Sequence, residues 1–410
     1  MSAPRPGYVE LLRVNRPFRL LWLGTVVSFL GDWLTTVAVL TMAHELSDSA
    51  LVISGVLIAK TLPIFLVSPV AGPIADRVDR RFLMIASDLV RVGMVFGMIA
   101  CWWVRSVELL LVVLTLRTLA GGFFIPARTA SLQDLVTPEQ LPVAVALNGG
   151  TWSVVLAFGA ALGGVLTAWV GIEGALFVDA LTFLASAALL WGLPPLPPRE
   201  EGSTERPTFV DGMRHLRGRV YLPALLCLKA SMSVSGGVLV LLPLLAGGVY
   251  TGAEGPLFLG ALYASRGVGA LLGSMGWRLV VGDRVVALQW SIVFGFTLAG
   301  VMYGTMAVAP SFVVCALALG IAAVGTGIVW SFSDTLAQLA TTREVRGRLF
   351  AMEFGITMLG SAFVSFGTGA LVDAGMTTSA VLAGIGVVSA LPAVGWAAVL
   401  WAAPDVPRAV

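Results

Sequence analysis

Short polar turns cut this chain into twelve apolar runs, most of them twenty residues or longer. They lie at about 18–42, 51–74, 82–104, 107–127, 143–170, 174–193, 222–249, 254–276, 285–308, 311–330, 349–373 and 377–402. A helix that crosses the hydrocarbon of a bilayer needs about 20 consecutive apolar residues. Backbone amides in hydrocarbon must be satisfied internally, so runs of this length fold as α-helices. The expected fold is therefore an all-α integral membrane protein with 12 transmembrane helices. Composition agrees, with 58% of residues hydrophobic, only 12% charged and a mean hydropathy of +0.93. Soluble domains carry about a quarter charged residues. A chain of 410 residues this poor in charge lacks the polar surface to stay dissolved. A soluble enzyme, a disordered protein and a secreted disulfide scaffold are all excluded. Twelve spans consume about 240 residues, which leaves no room for a sizeable soluble domain.

Other counts narrow the class further. A net charge of +2 gives no basic surface for nucleic acid. Cys101, Cys227 and Cys315 are odd in number and lie in apolar runs, which argues against a disulfide framework. His44 and His215 are the only histidines, too few for a His/Cys metal cluster. No metal, cofactor or catalytic residue is expected. The first apolar run is long enough to span and stay, unlike a cleaved leader.

One long polar stretch interrupts the spans, at 194–221. It opens with Pro194, Pro195, Pro197 and Pro198 and continues with charges of both signs, as a linker does. It separates an N-terminal six-helix bundle, 1–193, from a C-terminal one, 222–410. Phe209, Val210, Met213 and Leu216 fall at helical spacing, with Arg214, Arg217 and Arg219 elsewhere. That pattern reads either as a short basic amphipathic helix on the membrane surface or as a solvated loop. Placing both termini inside puts nineteen Lys/Arg on the inner side and one, Arg105, outside. Basic residues concentrate on the cytoplasmic side of membrane proteins, so both termini are expected to be cytoplasmic.

The two halves are related by an offset of 204 residues. Gly72 meets Gly276, Arg80 meets Arg284, Gly121 meets Gly325, Leu132 meets Leu336, Gly163 meets Gly367 and Gly171 meets Gly375. Register holds from the second to the sixth span. Parallel six-helix repeats joined by a central linker are known from transporters.

The loop after the second span reads Gly72-Pro-Ile-Ala-Asp76-Arg77-Val-Asp79-Arg80-Arg81. It resembles the signature loop of the major facilitator superfamily. Arg117-Thr-Leu-Ala-Gly121 is similar to that family's arginine-x-x-x-glycine element. Asn15-Arg-Pro-Phe-Arg-Leu-Leu-Trp22 leading to Gly31-Asp32, Pro126-Ala-Arg128 through Leu147-Asn148, and Arg346-Gly-Arg348 look like the drug/proton antiporter-3 group. That group includes macrolide and siderophore exporters. The resemblance implies a cytoplasmic gate at Gly72, Asp76, Arg77, Arg80 and Arg81, and Asp88 and Glu353 join it as acids placed on neighbouring helix ends. Gly72 would let two helices approach, and Asp76 would accept from the eleventh helix near Arg348. Arg77, Arg80 and Arg81 would pair with Glu353, Asp88 or Asp134. The alternative is that these basic residues only mark topology.

Ionisable groups within spans are expensive and are functional candidates by default. They are Asp32, Lys60, Arg117, Asp179, Lys229 and Arg266, with Asp88, Arg91 and Glu353 nearer the inner surface. Asp32, Lys60 and Arg117 lie about ten residues from the outer ends of their spans, or about 15 Å deep. Thr25, Ser28, Asp32, Thr35 and Thr36 form one polar stripe along the first span, expected to face a wet cavity. Asp32 would be the proton-coupling residue, with Arg117 as the partner the resemblance implies, unless the pair is merely structural. Asp32 with Lys60 and Arg117 leaves one positive charge over. Either Asp179 balances it or an anionic substrate does. The repeat replaces Asp32, Lys60, Arg117 and Asp179 by Gly236, Ala264, Ile321 and Ala383, so coupling chemistry concentrates in the first half. Trp33, Thr36, Asn148, Trp152, Met232 and Met358 are candidate cavity residues, although side chains of these types more often only pack.

The resemblance implies a monomeric proton-coupled exporter of an amphipathic small molecule: a drug, a siderophore or a lipid-like metabolite. Its partners would be that substrate, protons and the lipid bilayer. An importer or a lysophospholipid flippase on the same fold is the alternative within transport. A membrane-embedded enzyme lacks an evident nucleophile–base set, and a sensor would show no flux.

Overall fold

A computed structural model describes residues 7–198, 220–249, 254–341 and 343–402. Among these the secondary structure is helical, with no strand. A short helix α1 (Tyr8–Val14) precedes α2 (Arg16–Leu46), α3 (Ala50–Arg77), α4 (Arg80–Val104), α5 (Val107–Leu135) and α6 (Leu141–Trp191). After the linker come α7 (Tyr221–Met232), α8 (Gly236–Leu244), α9 (Gly255–Leu271) and α10 (Trp277–Val281). The remaining helices are α11 (Val285–Ala307), α12 (Phe312–Ala340), α13 (Arg343–Asp373) and α14 (Thr378–Ala402). A 3₁₀ turn joins α7 to α8, and a π turn joins α9 to α10, so each pair makes one long segment. The expected surface helix around 209–216 lies outside the described residues.

Among the described residues, eleven helical segments are long and apolar enough to cross a membrane. One of them, α6, has 51 residues. Straight, it would extend about 77 Å, more than twice the hydrocarbon thickness. It breaks at Gly171, where φ is 75° and ψ is 176°. A positive φ of this kind is open to glycine and strained for other residues. Gly171 lies in the gap between the fifth and sixth apolar runs, so twelve crossings result. Several helices outrun their apolar cores. α5 continues to Leu135 rather than 127, and α12 to Ala340 rather than 330. Hydropathy marks only the part of a helix that meets hydrocarbon. The helix itself ends where the backbone turns extended, at Val136 and Thr341.

The repeat is visible in the helix ends. Displaced by 204 residues, the ends of α4 and α5 fall within one residue of those of α11 and α12. Gly375, the counterpart of Gly171, has φ 96°.

The residues form two compact units. The first comprises 1–48, 55–202 and 253–264. Its core is built on Phe18, Leu21, Met84, Phe124 and Leu190. Here α2 and α6 pack closely through glycines, because a Cβ at Gly163 would stand 3.1 Å from Leu34 Cα, and one at Gly159 2.9 Å from Trp33 Cβ. The second unit comprises 49–54, 203–252 and 265–410. Its core centres on Ile292, Phe296, Phe332 and Trp396. A Cβ at Gly295 would lie 2.7 Å from the Gly325 carbonyl, and one at Gly300 2.7 Å from that of Gly386. Small residues at such crossings permit the close backbone contact on which helix association in lipid depends.

Candidate functional site

Five helices of the first unit bring ionisable side chains to one place. Arg117 of α5 donates to Asp32 of α2 at 2.8 Å and to Asp179 of α6 at 3.2 Å. Asp179 also accepts from the hydroxyl of Thr35. On α4, Arg91 bonds Asp88 one turn away and lies 3.6 Å from the second Asp32 oxygen. Lys60 of α3 donates to Thr36, whose hydroxyl donates at 2.6 Å to the Asp32 carbonyl. The cluster holds three carboxylates and three cations. Neutrality is what a low-dielectric interior demands, since an unmatched buried charge costs several kcal/mol. With Asp179 included, acids and basic groups in the cluster match in number.

Local sequence explains the convergence. Gly31 precedes Asp32, and any Cβ there would overlap Thr182 Oγ1 and Asp179 Oδ1. The missing side chain is what lets the Asp179 carboxylate reach α2. Phe183, one turn beyond Asp179, lies between the two guanidiniums. Its ring centroid is 4.4 Å from Arg91 Cζ and 5.1 Å from Arg117 Cζ. Arg91 Cζ also lies over the Phe124 ring, 4.9 Å from its centroid. Aromatic faces attract cations and replace water around them.

Burial separates the members. The side chains of Asp88 and Asp179 are 0% exposed and those of Arg91 and Arg117 4%, whereas Asp32 is 34% exposed. Asp32 is therefore the acid through which this cluster meets its surroundings. The polar stripe expected to line a wet cavity is largely sealed: Thr25, Ser28, Thr35 and Thr36 are all buried. Thr25 turns back to the Leu21 carbonyl, and Thr35 and Thr36 serve the charges. Thr36 is a support for Asp32 and Lys60, not a cavity wall.

The expected gate residues divide differently from the sequence expectation. Asp88 belongs to the charge cluster through Arg91, two turns inside α4. Glu353 pairs with Lys229 at 3.4 Å. Arg80, 1% exposed, bonds Asp134 at the end of α5 and donates to the Ala75 carbonyl at 3.3 Å. Arg81 donates to the Trp191 carbonyl at 2.5 Å and lies over that indole. Asp79 caps α4 by accepting from Arg81 and Phe82 backbone amides. Arg80 and Arg81 thus tie the loop to α5 and α6 of their own unit, and Asp79 ties it to α4. Asp76 and Arg77 occupy the last turn of α3. The contact expected of Asp76 near Arg348 falls on side chains outside the described ones. A Cβ at Gly72 would meet nothing within 4 Å among the described residues.

A family profile described as transmembrane secretion effector matches residues 12–404. The chain belongs to this family of major facilitator transporters. Over 185 residues the transporter is 32% identical to the uncharacterized MFS-type transporter YfiS of Bacillus subtilis, covering 45% of this chain and 44% of that one. It is 31% identical to macrolide efflux protein A of Streptococcus pyogenes, over 30% of this chain and 31% of that protein. Both alignments span less than half of the relative. A longer match, 25% identical, covers 92% of this chain and 94% of the uncharacterized MFS-type transporter y4rN of Sinorhizobium fredii. Among solved structures, the nucleoside transporter NupG superposes with a TM-score of 0.68 at 13% identity, covering 94% of this chain and 99% of NupG. A bacterial homologue of the iron transporter ferroportin gives 0.69 at 15%, covering 93% and 99%. These likenesses concern the fold alone.

Aromatic residues of the transporter's first unit form a chain. Phe29 meets Trp152 edge-on at 5.5 Å between centroids, Trp152 meets Trp33 at 6.4 Å, and Trp33 meets Tyr263 at 5.9 Å. Arg128 lies over Phe29 at 5.0 Å. Sequence reasoning had counted Arg128 as a loop residue because the apolar run stops at 127. Asn148 is partly buried on α6, and Met358 partly buried on α13. Met232 packs against the second unit's core, so it serves packing rather than a cavity. Asp334 was also missed: it lies on α12 beyond the apolar run and bonds Lys229.

Proposed function

We propose that this transporter exports an amphipathic small molecule in exchange for protons. Both termini would lie on the cytoplasmic side of a bacterial inner membrane, in accord with the arginine bias. Asp32 is the coupling residue in this reading. The observation that carries it is the single open carboxylate in an otherwise buried, neutral cluster. A proton reaching Asp32 removes its charge, and Arg117 is then left to Asp179 alone. That redistribution of pairing among α2, α5 and α6 is a physical means for protonation to bias alternating access of two six-helix halves. The aromatic chain from Phe29 to Tyr263 supports an amphipathic substrate, since aromatic side chains present an apolar face with a polar edge. Macrolide efflux protein A supports export.

The test uses purified protein in proteoliposomes with an imposed pH gradient and radiolabelled erythromycin as the probe. Uptake should require an acidic lumen and vanish in Asp32→Asn while the protein stays folded. Uptake indifferent to the gradient defeats antiport. Translocation of a labelled lysophospholipid in place of the macrolide would favour the flippase alternative.

A further inference from the structure

The second unit contains its own ionisable cluster, which the coupling scheme above does not use. Lys229 of α7 bonds Asp334 of α12, and its Nζ lies 3.4 Å from Glu353 Oε2 on α13. The ammonium is enclosed by rings, with Trp330 at 4.6 Å and Phe350 at 5.5 Å. Among the described residues, these are the charged groups that face Glu353. One cation thus serves two carboxylates, unlike the balanced cluster of the first unit.

Burial and geometry distinguish the two acids. The Asp334 side chain is 28% exposed and is the one drawn close to the ammonium, whereas Glu353 is 1% exposed. The Glu353 Oε1 atom is buried with no hydrogen-bond partner. A carboxylate so placed, with its nearer cation already paired, keeps a net negative charge away from water. Leaving a neutral hydroxyl unpaired costs a few kcal/mol at most, while an uncompensated buried charge costs more.

We infer that the Lys229–Asp334–Glu353 triad is a second proton-binding site, with the proton carried on Oε1 of Glu353. With the proton in place the triad holds one ammonium, one carboxylate and one carboxylic acid, and is neutral. Asp334 is its exposed member. A carboxylate facing lipid is not tolerated, so that side meets water and provides the proton's route. No residue is shared with the Asp32 cluster, so this inference stands whether or not Asp32 couples transport.

Infrared difference spectroscopy of the purified transporter in nanodiscs, between alkaline and acidic buffer, reads the carbonyl stretch of a protonated carboxyl directly. Wild type should gain a band on acidification that is absent in Glu353→Gln and retained in Asp32→Asn. In Asp334→Asn, Lys229 becomes free to neutralise Glu353. The Glu353 band should then need more acid, with its midpoint lower by about one pH unit or more, about a tenfold fall in proton affinity. Lys229→Met should move it the opposite way. Asp334→Asn and Lys229→Met carry the test if Glu353→Gln fails to fold. A wild-type spectrum unchanged by Glu353→Gln, or a band unmoved by Asp334→Asn, overturns the assignment. Loss of proton-driven uptake in Asp32→Asn with the Glu353 band intact would separate the two sites.

Discussion

Asp32 and Asp179 share one arginine yet should respond very differently to losing their charge. In Asp179→Asn the amide can still accept from Thr35, so the change removes charge and little else. Arg117, 4% exposed, then keeps only Asp32, and the balanced cluster becomes a buried net cation. At the observed 3.2 Å, with an effective dielectric constant of about 20, the lost attraction is about 5 kcal/mol. Removing one partner of a buried ion pair costs about 3–5 kcal/mol in measured cases. Asp32 is one-third open, so solvent screens it and the loss in Asp32→Asn should be about 1 kcal/mol. Taking about 2–4 °C per kcal/mol for units of this size, Asp179→Asn should lower the melting temperature by about 10 °C and Asp32→Asn by about 3 °C. Thermal unfolding in detergent, followed by tryptophan fluorescence, measures both. Adding Arg117→Gln to Asp179→Asn should recover part of the loss, because the stranded cation is gone. Equal destabilisation by the two single substitutions, or a larger loss for Asp32→Asn, would refute the division into a structural and an exposed acid.

Gly31→Ala should be costly although alanine favours helices, because its methyl would overlap Thr182 Oγ1 and Asp179 Oδ1. A loss of about 1–3 kcal/mol is expected from thermal unfolding, whereas Gly149→Ala, with open space around it, should be nearly neutral or stabilising. Arg80→Ala removes a buried guanidinium that bonds Asp134 and the Ala75 carbonyl and empties a buried position, with an expected loss of about 3 kcal/mol. Arg81→Ala, which removes a partly exposed contact to Trp191, should cost about 1 kcal/mol in the same measurement.

Much of the site was legible as a set of residues and little of it as a set of partners. Counting residues inward from the span ends placed Asp32, Lys60 and Arg117 at one depth, and they do share one cluster. Depth along a helix axis says nothing about which way a side chain faces around it. Asp88 and Glu353 were therefore assigned to the inner gate by position, although Asp88 turns to Arg91 and Glu353 to Lys229. Asp334 was missed, and Arg128 named only within a motif, for another reason. Both lie where the helix continues past the apolar run, and hydropathy ends with the hydrocarbon while hydrogen bonding does not.

The linear chain by itself determined the twelve crossings, the internal repeat and the turn at Gly171. These depend on run length and on residues adjacent in sequence, which the bilayer and the backbone read locally. Tertiary structure decided the rest: that Arg117 bridges two acids, that the polar stripe is sealed, and that Asp32 alone among the cluster's carboxylates is left open. Those outcomes depend on how helices rotate against one another. The rotation is set where glycine takes the place of a side chain, at Gly31, Gly159 and Gly163, and the fit can be judged only against the opposing helix.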